Sequence, residues 1–73
     1  MTKAAIAYKN KTIPVHRYEG CSMTMEMLRG KMMDMQYDFD FRRKLKEVLF
    51  IEMIGGVAVF KYADGSKLYL AVS

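Results

Sequence analysis

Residues 47–73 constrain the fold more than any other part of the chain, because they read as three antiparallel strands joined by two tight turns. Gly55-Gly56 supplies two consecutive residues that can take positive φ, which suits a two-residue type I′ connection and sets Met53 opposite Ala58. Asp64-Gly65 admits either a two-residue loop or a three-residue loop, Ala63-Asp64-Gly65, built from a type I turn closed by a left-handed glycine and a bulge. The two loops differ by one residue, and a slip of one sends every side chain to the opposite face. Only the three-residue loop yields a uniform face: Leu49, Ile51, Met53, Ala58, Phe60, Tyr62, Leu68, Leu70 and Val72, with no charge among them. This is the predicted core face.

The opposite face then carries Phe50, Glu52, Ile54, Val57, Val59, Lys61, Lys67, Tyr69 and Ala71, which is too apolar for an ordinary solvated surface. Cover by the N-terminal segment or by a second copy would explain it. So would a docking surface, since contiguous exposed apolar patches on small proteins mark interaction sites.

Seventy-three residues make one domain, 1–73, and a chain of this length buries only about 60% of its unfolded surface. Large enzyme architectures are excluded. The charges are interspersed rather than blocked and 52% of the residues are hydrophobic, so a folded core is expected. No run of eighteen apolar residues is present and Met1-Thr2-Lys3-Ala4-Ala5-Ile6-Ala7 lacks a secretory hydrophobic region, so no membrane partner and a cytoplasmic location are expected. Cys21 is the single cysteine, which rules out an intrachain disulfide and fits a reducing compartment. The net charge of +4 favours nucleic acid or an acidic protein, yet is also ordinary for solubility.

Upstream, Ile6 and Tyr8 alternate before Asn10-Lys11 and Ile13 and Val15 alternate after it, which predicts a hairpin pairing Lys9 with Thr12, Tyr8 with Ile13 and Ile6 with Val15. Pro14 has no ladder donor and points to an edge strand. Gly20 ends this hairpin, and Ser22 is placed to cap a following helix. Met25, Leu28, Met32 and Met35 recur at spacings of three and four and form its buried stripe, while Gly30 marks a place for a break or kink. Phe41, Leu45 and Val48 have helical spacing with Asp40 as a cap, although Tyr37-Asp38-Phe39-Asp40-Phe41 also alternates like a strand; a short helix is favoured.

Several residue groups carry side chains suited to binding or chemistry. Six methionines lie between Met23 and Met35; the stripe is assigned to core, while Met23, Met27 and Met33 lie off it and can extend a binding surface. Arg42, Arg43, Lys44 and Lys46 form the densest basic cluster, able to hold phosphates without reading sequence. Phe50 and Tyr69 with Lys61 and Lys67 could add stacking platforms on the outer sheet face, in the general manner of sheet-based RNA readers, but no RNP motif is present. Asp38 and Asp40 suit helix capping better than a metal pair. Proximity of His16 and Cys21 in sequence does not supply the orienting group and oxyanion donors of a nucleophilic site, and one Cys with one His cannot complete a structural zinc site without carboxylates or another chain.

The expected architecture is a small α+β domain of order ββα(α)βββ: an N-terminal β-hairpin, a Met-rich helix and a C-terminal three-stranded antiparallel meander. The expected function is a non-enzymatic protein-binding module, an inhibitor, adaptor or regulator, needing no cofactor. Phe50, Ile54, Val59 and Tyr69 supply apolar contact in this reading, and Lys61 and Lys67 steer an acidic protein partner; self-association could use the same patch. The alternative is a nucleic-acid-binding regulator acting through Arg42, Arg43, Lys44 and Lys46. A small basic chain of this kind is compatible with a phage or plasmid origin.

Overall fold

A computed structural model of the chain describes residues 2–8 and 10–71. Five strands, β1 (Thr2–Tyr8), β2 (Lys11–Arg17), β3 (Val48–Ile54), β4 (Val57–Tyr62) and β5 (Lys67–Ala71), form one sheet in sequence order. Between β2 and β3 run two helices, α1 (Met25–Asp34) and α2 (Phe39–Lys44), each followed by a single tight 3-10 turn. The ββα(α)βββ order of the sequence reading is present.

The C-terminal meander adopts the three-residue loop. Lys61 pairs with Lys67, Phe60 with Leu68 and Val59 with Tyr69. The Gly65 N–H donates to the Tyr62 carbonyl at 3.1 Å, the Tyr62 N–H to the Ser66 carbonyl at 3.0 Å, and Gly65 has φ +89°, which together make the expected turn and bulge. The first hairpin keeps its predicted register, with Met53 opposite Ala58, but only Gly55 has positive φ. That is the type II′ pattern rather than type I′, and it needs a glycine only at the first central position. Its carbonyl is also an anchor, accepting the Ser22 N–H at 2.8 Å and the Ser22 hydroxyl at 3.2 Å.

The core face is as expected at Ile51, Met53, Ala58, Phe60 and Tyr62, which are buried, and at Leu68 and Leu70, which pack partly buried against them. Leu49 is a correction. A bulge separates the Val48–Tyr62 and Phe50–Lys61 pairs, so Val48 takes the core position and Leu49 is 55% exposed. Val72 and Lys9, also part of the sequence reading, lie outside the described residues.

Three further expectations change. The sheet is mixed rather than antiparallel, because β2 and β3 run parallel, pairing Val15 with Ile51 and Arg17 with Met53. A parallel pair requires a long crossover, and the two helices provide it. Pro14 therefore sits in an interior strand, not an edge strand. It is tolerated because the parallel ladder begins only at Val15, one residue beyond the position where the missing donor would matter. The N-terminal hairpin pairs Ile6 with Ile13 and Tyr8 with Lys11, two residues away from the predicted register. A shift of two preserves faces, so Ile6, Tyr8, Ile13 and Val15 are all buried as expected.

Helix α1 is capped by Thr24, not Ser22: the Thr24 hydroxyl accepts the Met27 N–H at 3.1 Å. Leu28 and Met32 are fully buried and Met25 and Met35 partly so, which confirms the stripe, and the helix runs through Gly30 without a break. Met23 precedes the helix and is fully buried, whereas Met27 and Met33 are exposed. Helix α2 is capped by Asp38 rather than Asp40, through Asp38 Oδ1 accepting the Phe41 N–H at 3.1 Å. Phe41 then enters the core edge-on to Tyr8 and Phe60, with ring centroids 6.4 and 5.8 Å away. Both helices thus lie on the core face.

Candidate functional site

The outer face of the sheet carries no helix among the described residues. The N-terminal hairpin, one of the candidates to cover it, instead widens the sheet by two strands. Alternation along each strand brings Ala5, Ala7, Thr12, Pro14, His16 and Tyr18 into the same plane as the outer residues of the meander. On the meander, Tyr69 is 64% exposed, Ile54 about half exposed, and Phe50 and Val57 half-buried. The His16 ring leans on Phe50 with centroids 5.2 Å apart. Val59, however, is only 7% exposed: it sits at the centre of the face, walled by its neighbours, and offers little surface of its own. The apolar contact area belongs to Tyr69, Ile54 and the edge of Phe50.

Charge on this face is largely cancelled within the chain. Glu52 accepts from the Tyr18 hydroxyl through Oε2 and pairs with Lys61 through Oε1 at 3.1 Å, all three groups being half-buried. These two donors hold the Glu52 carboxyl below the usual carboxylate range, and the same bond raises the Tyr18 hydroxyl. Lys61 is therefore committed to Glu52 and is not a free steering charge. Lys67, on the edge strand, is exposed. No protein-family model matches the chain, and neither a curated protein nor a solved structure matches it.

The basic cluster divides as well. Arg43 bonds Asp40 at 3.2 Å, and Lys44 lies 3.7 Å from Asp64 and 5.3 Å above the Tyr62 ring. Arg42 and Lys46 are exposed and have no carboxylate partner among the described residues. Together with Tyr8, Asn10, Lys11 and Leu45 they line a hollow of about 370 Å³ with no acidic group in its wall among the described residues. The Lys11 ammonium closes one side by donating to the Lys46 carbonyl at 2.7 Å. Just upstream in the chain are two exposed aromatics that the sequence reading did not single out as a site, Tyr37 before the Asp38 cap at 85% and Phe39 at the start of α2 at 68% exposure. A signal for them existed: once Asp38 is the cap, Phe39 becomes the first helical residue and Phe41 the inward one.

The remaining candidates are absorbed by the fold. Asp38 caps α2 and Asp40 holds Arg43. His16 lies on the outer face, whereas Cys21 packs against the inner core and its thiol donates to the Met23 carbonyl, so the two are on opposite sides of the sheet. Among the described residues no three His, Cys, Asp or Glu side chains gather as a metal site would require. No helix is long and apolar enough to cross a membrane among the described residues.

Proposed function

We propose that the chain is a non-enzymatic protein-binding module, an inhibitor, adaptor or regulator, that docks a protein partner on the outer face of its sheet. One observation carries this reading: a five-stranded sheet has both helices on one side and exposes Tyr69 and Ile54 on the other. Burying such a face supplies the apolar centre of an interface, and Tyr is among the residues that concentrate binding energy. Because Glu52 already satisfies Lys61, the charge left to meet a partner is that of Lys67 on a chain of net charge +4. The partner is therefore a protein with an apolar surface rimmed by carboxylates.

The test compares the wild-type chain with Tyr69→Glu and Ile54→Glu as baits in nuclease-treated lysate of the source cells, followed by titration of the retained protein in purified form. A partner lost with both variants, while their circular dichroism is unchanged, supports the reading. Retention indifferent to both variants would overturn it. So would a wild-type dimer in sedimentation that Tyr69→Glu dissociates, since the face would then be occupied by a second copy. Val59→Glu is unsuitable as a probe because it places a carboxylate at a nearly covered position and threatens the fold itself.

A further inference from the structure

We infer that the outward side of α2 and the turn after it form a platform for single-stranded nucleic acid, on the opposite side of the molecule from the proposed protein-binding face. At about 100° per residue, Arg42, Lys46, Phe39 and Arg43 occupy one arc of roughly 100°. Phe41 and Leu45, both buried, point the other way. An exposed aromatic ring is thus flanked by three cations on one helical surface, with Tyr37 just before it and Lys11 reaching in from the neighbouring hairpin to the Lys46 carbonyl. Asp40, bonded to Arg43, and Glu47 border one side of the arc only.

This combination matches the chemistry of an unpaired strand better than that of a duplex. Phosphates meet the guanidinium and ammonium groups, and bases stack on Phe39 and Tyr37, whose faces a duplex could not use because its bases already stack on one another. Tyr37 and Phe39 stay in water, whereas Phe41, two residues on and turned to the opposite side of α2, is buried. The basic hollow is walled by Arg42 and Lys46, which share the arc with Phe39, and by Lys11 opposite them, and it gives the backbone a place to run.

The experiment is fluorescence anisotropy of short labelled oligothymidylate and oligouridylate, with a duplex of equal length and polyglutamate as competitors. Binding should weaken with salt between about 50 and 200 mM at a log–log slope of roughly −2 to −3, as expected for three or four phosphate contacts on a single strand. Phe39→Ala should weaken binding about tenfold or more and Tyr37→Ala by a comparable factor, with unchanged circular dichroism, since base stacking carries that much affinity. Arg42→Ala with Lys46→Ala should flatten the salt slope. Tyr69→Glu should change nothing, which separates this surface from the sheet face. The inference is overturned by no binding at low salt, by affinity indifferent to Phe39 and Tyr37, by a duplex that competes equally, or by polyglutamate that displaces the strand as effectively.

Discussion

Gly30→Ala should stabilise the domain, and the size of the gain follows from its surroundings. Gly30 is the sixth residue of the ten-residue α1, is exposed, and a Cβ built there meets nothing within 4 Å. Its φ is not in the left-handed region, so alanine inherits an unstrained conformation. Alanine in a helix interior is favoured over glycine by about 0.8–1 kcal/mol, largely because the unfolded chain loses freedom that folding would otherwise have to remove. For a domain of this size that corresponds to a rise of roughly 4–8 °C in melting temperature. Thermal and urea unfolding followed by circular dichroism at 222 nm, the helix band, measure it, and the urea midpoint should rise with an unchanged slope. A lower or unmoved midpoint would refute the reasoning, because it would mean that the helix is interrupted at this residue or that the space beside it is filled.

Other perturbations test other parts of the argument. Asp38→Ala should cost about 1 kcal/mol by releasing the Phe41 N–H, whereas Asp38→Asn should cost little because asparagine caps equally well; equal losses in thermal melts would contradict the capping role. Gly65→Ala forces a Cβ into φ +89° and should cost roughly 1–2 kcal/mol. Asparagine at the same site should recover part of that loss, and an alanine variant as stable as wild type would show the bulged turn to be wrong. The Glu52 carboxyl is lowered in the folded chain by Tyr18 and Lys61, so its stabilisation is complete above the unfolded carboxylate pKa and fades as pH falls through the lower folded value. Wild type should therefore lose more stability than Glu52→Gln in melts taken from neutral pH down through the carboxylate range, and parallel curves would refute it.

The local grammar of the chain was legible wherever neighbours in sequence are neighbours in space. Alternation at Ile6, Tyr8, Ile13 and Val15 identified a buried face even though the register was off by two, because side-chain direction repeats every two residues. The methionine stripe and the Ala63-Asp64-Gly65 loop were readable for the same reason: each is decided by periodicity within a dozen residues. Cap positions were less so. Ser22 and Thr24, or Asp38 and Asp40, are chemically equivalent as caps, and the choice depends on where the preceding strand and turn deliver the chain; Ser22 is instead held by the Gly55 carbonyl, 33 residues away.

The functional surfaces show the same division more sharply. Lys61 reaches Glu52 diagonally only because β3 and β4 align, and Tyr18 reaches Glu52 only because β2 runs parallel to β3, a pairing between segments separated by two helices. Val59 is covered by strands on both sides, and Leu49 is turned out by a bulge, neither of which leaves a mark in alternation. By itself the sequence determined the composition of the two sheet faces apart from the bulge at Val48 and Leu49, the helix that packs on one of them and the basic character of α2, since hydrophobic periodicity and turn chemistry are short-range. Which strand lies beside which, which charges cancel and which aromatics stay in water were decided by tertiary structure, because those outcomes depend on long-range pairing and on what burial the finished core has room to provide.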